Sequence, residues 1–244
     1  VRVAFTTAIA LTVAAVSLRC APEQSAVERG RAHFSDPNVS SSRLNQYSCA
    51  TCHRTGPEDR VGSILPGGSL AGATERPDFW GGTVATFQEA TALCFRKFMR
   101  GGTLDTTNTI SLELYVFIAS LSNTPGASRL RVAFTIPATV AVPAAGDPVR
   151  GAVIWRAACA NCHGEAAMPG TQPIASASVL PADTEREHTA AMAYTMDTLR
   201  QVFVEKTRHG AFLGFAGVMP PFSTQVLSTA DIADVVSYLN PTLR

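Results

Sequence analysis

The sequence predicts an all-α chain in which one helical unit occurs twice, and three observations carry that prediction. The pentapeptide Cys49-Ala50-Thr51-Cys52-His53 returns with the same spacing as Cys159-Ala160-Asn161-Cys162-His163. Ahead of each copy stands a glycine with an aromatic four residues later, Gly30 with Phe34 and Gly151 with Trp155, each glycine following an arginine (Arg29, Arg150). An apolar run of helical length closes each copy, residues 112–121 and 232–239.

The repeated pentapeptide sets the chemistry. On a helix turning about 100° per residue, two cysteines three apart and the following histidine share one face. C-x-x-C-H is the attachment pattern of c-type haem: both sulfurs bond the porphyrin edge and the histidine takes the iron. Zinc ribbons bring two C-x-x-C pairs within about 15–20 residues, whereas 106 residues lie between Cys52 and Cys159. A thioredoxin-like redox motif needs no histidine after it. The expectation is two covalently attached haems, held through Cys49, Cys52, Cys159 and Cys162, with His53 and His163 on the two irons.

At 244 residues the chain has room for two ordinary domains. Its 20 basic and 19 acidic residues nearly cancel and form no basic run, which argues against nucleic acid as a partner. Residues 3–18 are apolar or small between Arg2 and Arg19, the pattern of a secretory signal over residues 1–20. That run is short of the roughly 20 residues that cross a bilayer, so no transmembrane span is expected in the mature chain. Cleavage near Ala15 or Ser17 is one outcome. An uncleaved anchor is a second, and a lipid anchor on Cys20 is a third, although Arg19 stands where a lipoprotein signal has a small residue. Export to the periplasm or bacterial cell envelope fits covalent haem attachment.

Both units resemble the class I cytochrome c fold, whose first and last helices cross through a glycine and an aromatic. The resemblance implies domains at 27–122 and 147–244. Between them, 123–146 is proline-rich and without helical periodicity, and its apolar, β-branched middle predicts an extended path over the surface of one domain. The second half follows the class I pattern closely. Its Gly217-Val218-Met219-Pro220-Pro221-Phe222-Ser223 matches the loop that carries the sixth iron ligand, which implies Met219, with His209 the next candidate. A thioether opposite histidine raises the potential. Ser228 is placed to cap the last helix.

The first unit lacks that loop. From Gly101 to Phe117 is 16 positions, but from Gly210 to Tyr238 is 28. Two sulfurs compete for its iron on one predicted helix, 87–100: Cys94 and Met99, which helical geometry would point about 140° apart. Counting back from the last helix favours Met99. Cys94-Phe95-Arg96-Lys97-Phe98-Met99-Arg100-Gly101, however, resembles a segment of the tetrathionate-forming dihaem thiosulfate dehydrogenases and the related SoxA cytochromes. In those families the cysteine is the iron ligand. The same resemblance makes Cys94, Arg96, Lys97 and Arg100, with Arg76 in the preceding loop, candidates for a site taking a small sulfur anion. Ala90 and Ala92 depart from that family pattern. Residues 34–37 leading to the first haem motif also resemble the start of bacterial dihaem peroxidases, a likeness that ends there. The sequence therefore reads as an exported dihaem cytochrome passing electrons to a redox partner protein. A haem-dependent oxidoreductase acting at the first haem is the competing expectation.

Overall fold

The computed structural model describes residues 24–56, 62–141, 144–191, 196–210 and 217–239. The expected export segment 1–20 and Cys20 lie outside the described residues, as does part of the loop after Gly210. Every regular element among them is helical: α1 Ala26–Ser35, α2 Cys49–Cys52, α3 Phe87–Lys97, α4 Thr109–Ser120, α5 Pro148–Ile154, α6 Ala160–His163, α7 Ala182–Ala191, α8 Met196–His209 and α9 Thr229–Leu239. Among the described residues no helix is long and apolar enough to cross a membrane.

Local sequence starts these helices. Ser25 with Glu28 and Thr86 with Glu89 form reciprocal capping boxes at α1 and α3. At α9 the Ser228 hydroxyl accepts from the Asp231 N–H at 3.1 Å while the Asp231 carboxylate accepts from the Ser228 N–H at 2.8 Å. Each such cap contributes about 1 kcal/mol.

Two helix crossings organise the packing, α1 on α4 and α5 on α9. A Cβ on Gly30 would lie 2.0 Å from the Glu113 carbonyl oxygen and 2.7 Å from the Phe117 Cβ. One on Gly151 would lie 2.0 Å from the Asp234 carbonyl oxygen and 2.9 Å from the Tyr238 Cβ. Only a hydrogen fits at either point, so the glycines let the helix backbones touch. The same ion pair flanks each crossing: Arg29 Nε meets Glu113 Oε1 at 2.5 Å and Arg150 Nε meets Asp234 Oδ2 at 2.7 Å, partners 84 residues apart in both cases. Each crossing has its own core. Phe34, Phe95, Met99, Leu114, Phe117 and Ile118 belong to the first, and Trp155, Phe203, Val204, Leu227, Ile232 and Val236 to the second.

The two halves reach their haem motifs differently. After Phe34 a long loop precedes α2, whereas α5 runs through a π turn, Trp155–Cys159, directly into α6. The predicted helix 87–100 also stops early. Phe98 caps α3, and Arg100 takes a left-handed φ of 52°.

Beyond a short turn at Leu121–Asn123, the connection to α5 has no regular structure among its described residues. It does not lie on one half alone. Phe134 sets its ring edge-on to Trp80 at 5.2 Å, and the next residue, Thr135, accepts from the Thr224 N–H at 3.0 Å and donates to Gln225 Oε1 at 2.9 Å. Further on, the Pro137 carbonyl accepts from His209 Nε2 at 2.7 Å and the Val140 carbonyl from Gln201 Nε2 at 2.9 Å. An extended chain has no internal partners for its backbone groups. Its groups find partners in both halves, the Ser128 N–H on the Ala71 carbonyl at 3.1 Å and the later ones on the second half, which explains the departure from the expected one-sided path.

Candidate functional site

In the first motif α2 carries Cys49 and Cys52, while His53 steps out of the helix into extended backbone (φ −125°, ψ 145°). In the second, His163 ends α6 and Gly164 turns the chain with φ 67°. The single helical face expected for all three residues therefore describes the cysteines of the first motif but not its histidine. Both histidines are nevertheless oriented alike. His53 Nδ1 lies 2.8 Å from the Gly68 carbonyl oxygen and His163 Nδ1 lies 2.9 Å from that of Ser178, each 15 residues further along. A carbonyl oxygen only accepts, so Nδ1 carries the proton and Nε2 the lone pair. That is the fixed tautomer of a metal-binding histidine. Gly67 makes this possible in the first half, because a Cβ there would come within 2.4 Å of the His53 ring.

A cavity of about 180 Å³ opens beside the first motif, bordered by Cys49, Cys52 and His53 and, from α3 and the turn after it, by Cys94, Phe98 and Met99. Burial pushes the Cys49 thiol up to about 11. Burial, then the nearby Cys49, pushes Cys94 up to about 12. A thiolate standing alone here is disfavoured, whereas one bonded to a cation is not. Cys94 and Met99 both border the cavity, contrary to the helical expectation of opposed directions, because α3 ends before Met99. They differ in burial: Met99 is a buried member of the first core, while Cys94 is half-buried.

The arginines are not gathered there. Arg96 and Arg100 are exposed, and the arginine that borders the cavity is Arg76. Its guanidinium donates to the carbonyls of Ser69 at 2.7 Å and Ser128 at 3.2 Å, bracing the loop against the connecting segment. More distant parts of the chain close the cavity: Val132 and Phe134 of the connection, and Pro220 and Pro221 of the second half. Trp80, also on its wall, holds a left-handed φ of 52° between Phe98 and Phe134.

At the second motif the Cys159 thiol is pushed up to about 12 by burial, then by the nearby Cys162. Burial lowers His163, opposed by its Ser178 bond, which favours the neutral ring a metal binds. Cys159 and Met219 both pack against the second core. The end of α8 holds the Met219 loop in place. Gly210, at φ 53°, has no room for a Cβ, which would lie 2.4 Å from the Met219 carbonyl oxygen. The buried Arg208 donates through Nη1 to the carbonyls of Phe222 at 2.6 Å and Leu227 at 2.9 Å. Its Nη2 has no acceptor among the described residues. A buried cationic donor in that condition suits a carboxylate of a bound porphyrin. His209 is engaged elsewhere, with Nε2 on Pro137 and Nδ1 2.5 Å from Glu205, so it is set aside as an alternative to Met219.

Residues 146–239 match the family described as cytochrome c oxidase, cbb3-type, subunit III. That stretch is similar to a cytochrome c domain, a likeness that implies covalently bound haem iron and a role in electron transfer. Among solved structures, the chain is similar to thiosulfate dehydrogenase (TsdBA) from Marichromatium purpuratum, as isolated, at 18% identity and a TM-score of 0.41. The match covers 93% of this chain and 48% of that one, so the chain spans about half its length. No curated protein matches the sequence.

Residues 146–239 contain the candidates Cys159, Cys162, His163 and Met219 that the sequence suggested; the buried Arg208 was not among them, because it looks like an ordinary charge at a helix end. The orienting carbonyls of Gly68 and Ser178 were also missed. Their signal was the equal spacing from each histidine.

Proposed function

We propose that the chain is an exported dihaem c-type cytochrome, with class I-like domains at 27–122 and 147–244 joined by 123–146. In this reading it passes electrons between two covalently bound haems and a redox partner protein. The observation that carries it is the repeated site: each C-x-x-C-H is accompanied by a histidine whose Nδ1 is bonded to a carbonyl 15 residues later. Bound haem iron supplies a one-electron couple. Cys49 and Cys52 hold the first porphyrin and Cys159 and Cys162 the second, while His53 and His163 offer Nε2 to the irons. Met219 is the sixth ligand of the second site, and the buried Arg208, whose Nη2 has no acceptor among the described residues, would donate to an acidic group of the haem held there. Cys94 is the sixth ligand of the first site; both it and Met99 border the cavity, and the reading is supported by the burial of Met99 in the core where Cys94 is only half-buried.

A thiosulfate dehydrogenase-like oxidoreductase is the second reading, favoured by the Cys94 thiol beside the first haem motif. Against it, Arg96 and Arg100 are exposed and Arg76 is spent on backbone carbonyls. Anaerobic addition of thiosulfate to the oxidised protein separates the two. A carrier stays oxidised until a general reductant is added, whereas haem reduction by thiosulfate with formation of tetrathionate establishes the enzyme.

A further inference from the structure

Two loops at equivalent positions cross from one half to the other. Leu70 and Leu180 each stand 17 residues after their haem-motif histidine, and each packs against the core of its own half. Ile64 and Ile174, each 11 residues after the histidine, do the opposite. Ile64 packs against the second core, its N–H donating to the Ala157 carbonyl at 2.8 Å. Ile174, 8% exposed, belongs to the first core. Nearby, the Ser176 N–H and hydroxyl both donate to Gln46 Oε1 at 3.0 Å.

Reciprocal contact of this kind, with i meeting j and j meeting i, is the mark of a twofold interface. Equivalent points under a twofold come together only near the axis. Cys162 packs against the first core, and its counterpart Cys52 borders the cavity of that half. Tyr47, next to Gln46, is 7% exposed, lines the same cavity and belongs to the same core. Burial holds its phenol above the ordinary range.

Building on the dihaem reading, we propose that the halves dock about a pseudo-twofold axis running between Cys52 and Cys162, sealed by the exchanged Ile64 and Ile174. Tyr47 is then the positioning residue that holds Cys52 and Cys162 near one another, so that the haems those sulfurs would hold could exchange an electron directly. One electron leaves the reduced iron of one site and enters the oxidised iron of the other. No atom or proton changes place, and an external donor supplies the electron. Apolar side chains close the junction, so little solvent reorganises as the charge moves.

The test uses the full, haem-loaded chain brought to one reducing equivalent by flash photoreduction. Equilibration between the haems is followed optically, and spin coupling between the two oxidised irons by electron paramagnetic resonance. A rate independent of protein concentration is expected. Tyr47→Ala should slow it severalfold and weaken the coupling while both haem spectra persist, and Tyr47→Phe should restore both. If Tyr47→Ala does not load haem, Ile64→Ala probes the junction from the other side and should also slow equilibration. Two loaded haems that equilibrate only through collisions, at a rate rising with concentration, overturn the proposal. So does unaltered rate and coupling in Tyr47→Ala or Ile64→Ala. A chain with a single haem instead overturns the dihaem reading on which the proposal rests.

Discussion

Gly151→Ala tests the helix crossing that frames the second haem site. The added Cβ would sit 2.0 Å from the Asp234 carbonyl oxygen, where ordinary contact begins at 3.4 Å, so α5 and α9 must part by about 1.4 Å. The obstacle is backbone, which cannot swing aside as a side chain would. Alanine gains about 1 kcal/mol of helix propensity over glycine, but overpacking costs about 1–3 kcal/mol and occasionally more. With the clash at the upper end, a net loss of about 2 kcal/mol is expected. At roughly 2–4 °C per kcal/mol for a chain of this size, Tm should fall by about 4–8 °C, measured by circular dichroism on the haem-loaded protein. Gly102→Ala, where a Cβ would meet nothing within 4 Å, serves as control and should change stability by less than about 0.5 kcal/mol. If Gly151→Ala raises Tm, propensity alone decides and the close-crossing argument is wrong.

At the other crossing, the Glu113 carboxyl is held below its usual value of 4.5 by the Arg29 hydrogen bond, against burial and with help from His33. The unfolded chain therefore binds that proton first. The contribution is complete above about pH 4.5 and is lost as pH falls through the lower folded value. Arg29→Met should move the acid-unfolding midpoint to higher pH, and an unchanged midpoint would remove the pair from the account. Met219→Ala should abolish the weak far-red sulfur-to-iron band of the oxidised protein and lower the potential of one haem only. A spectrum unaffected by that change means the loop does not supply the ligand. Cys94→Ala should convert the first haem to high spin or raise its potential through Met99, while Met99→Ala should leave its spectrum alone. The reverse pattern would refute thiolate ligation and remove the main support for thiosulfate chemistry.

The helix crossings were legible because each depends on residues close in sequence: a glycine and an aromatic one turn apart, met by an apolar helix. The two C-x-x-C-H motifs were legible for the same reason. The end of α3 was not, since a left-handed Arg100 carries no glycine signal, and that misplacement produced the false opposition between Cys94 and Met99. The path of the connecting segment is set by partners such as Gln225, 90 residues from Thr135, which no local pattern reports. Ile64 and Ile174 stood in the sequence at equal distances from their histidines, yet equal spacing does not say into which core a side chain turns.

The central claim is that both motifs bind haem covalently. Mass spectrometry of the purified chain after denaturation and acid extraction measures this directly, because thioether bonds survive both treatments. A mass increase of two haems is expected, falling to one when Cys159 and Cys162 are both replaced by alanine. A chain that retains a single haem, or none, contradicts it.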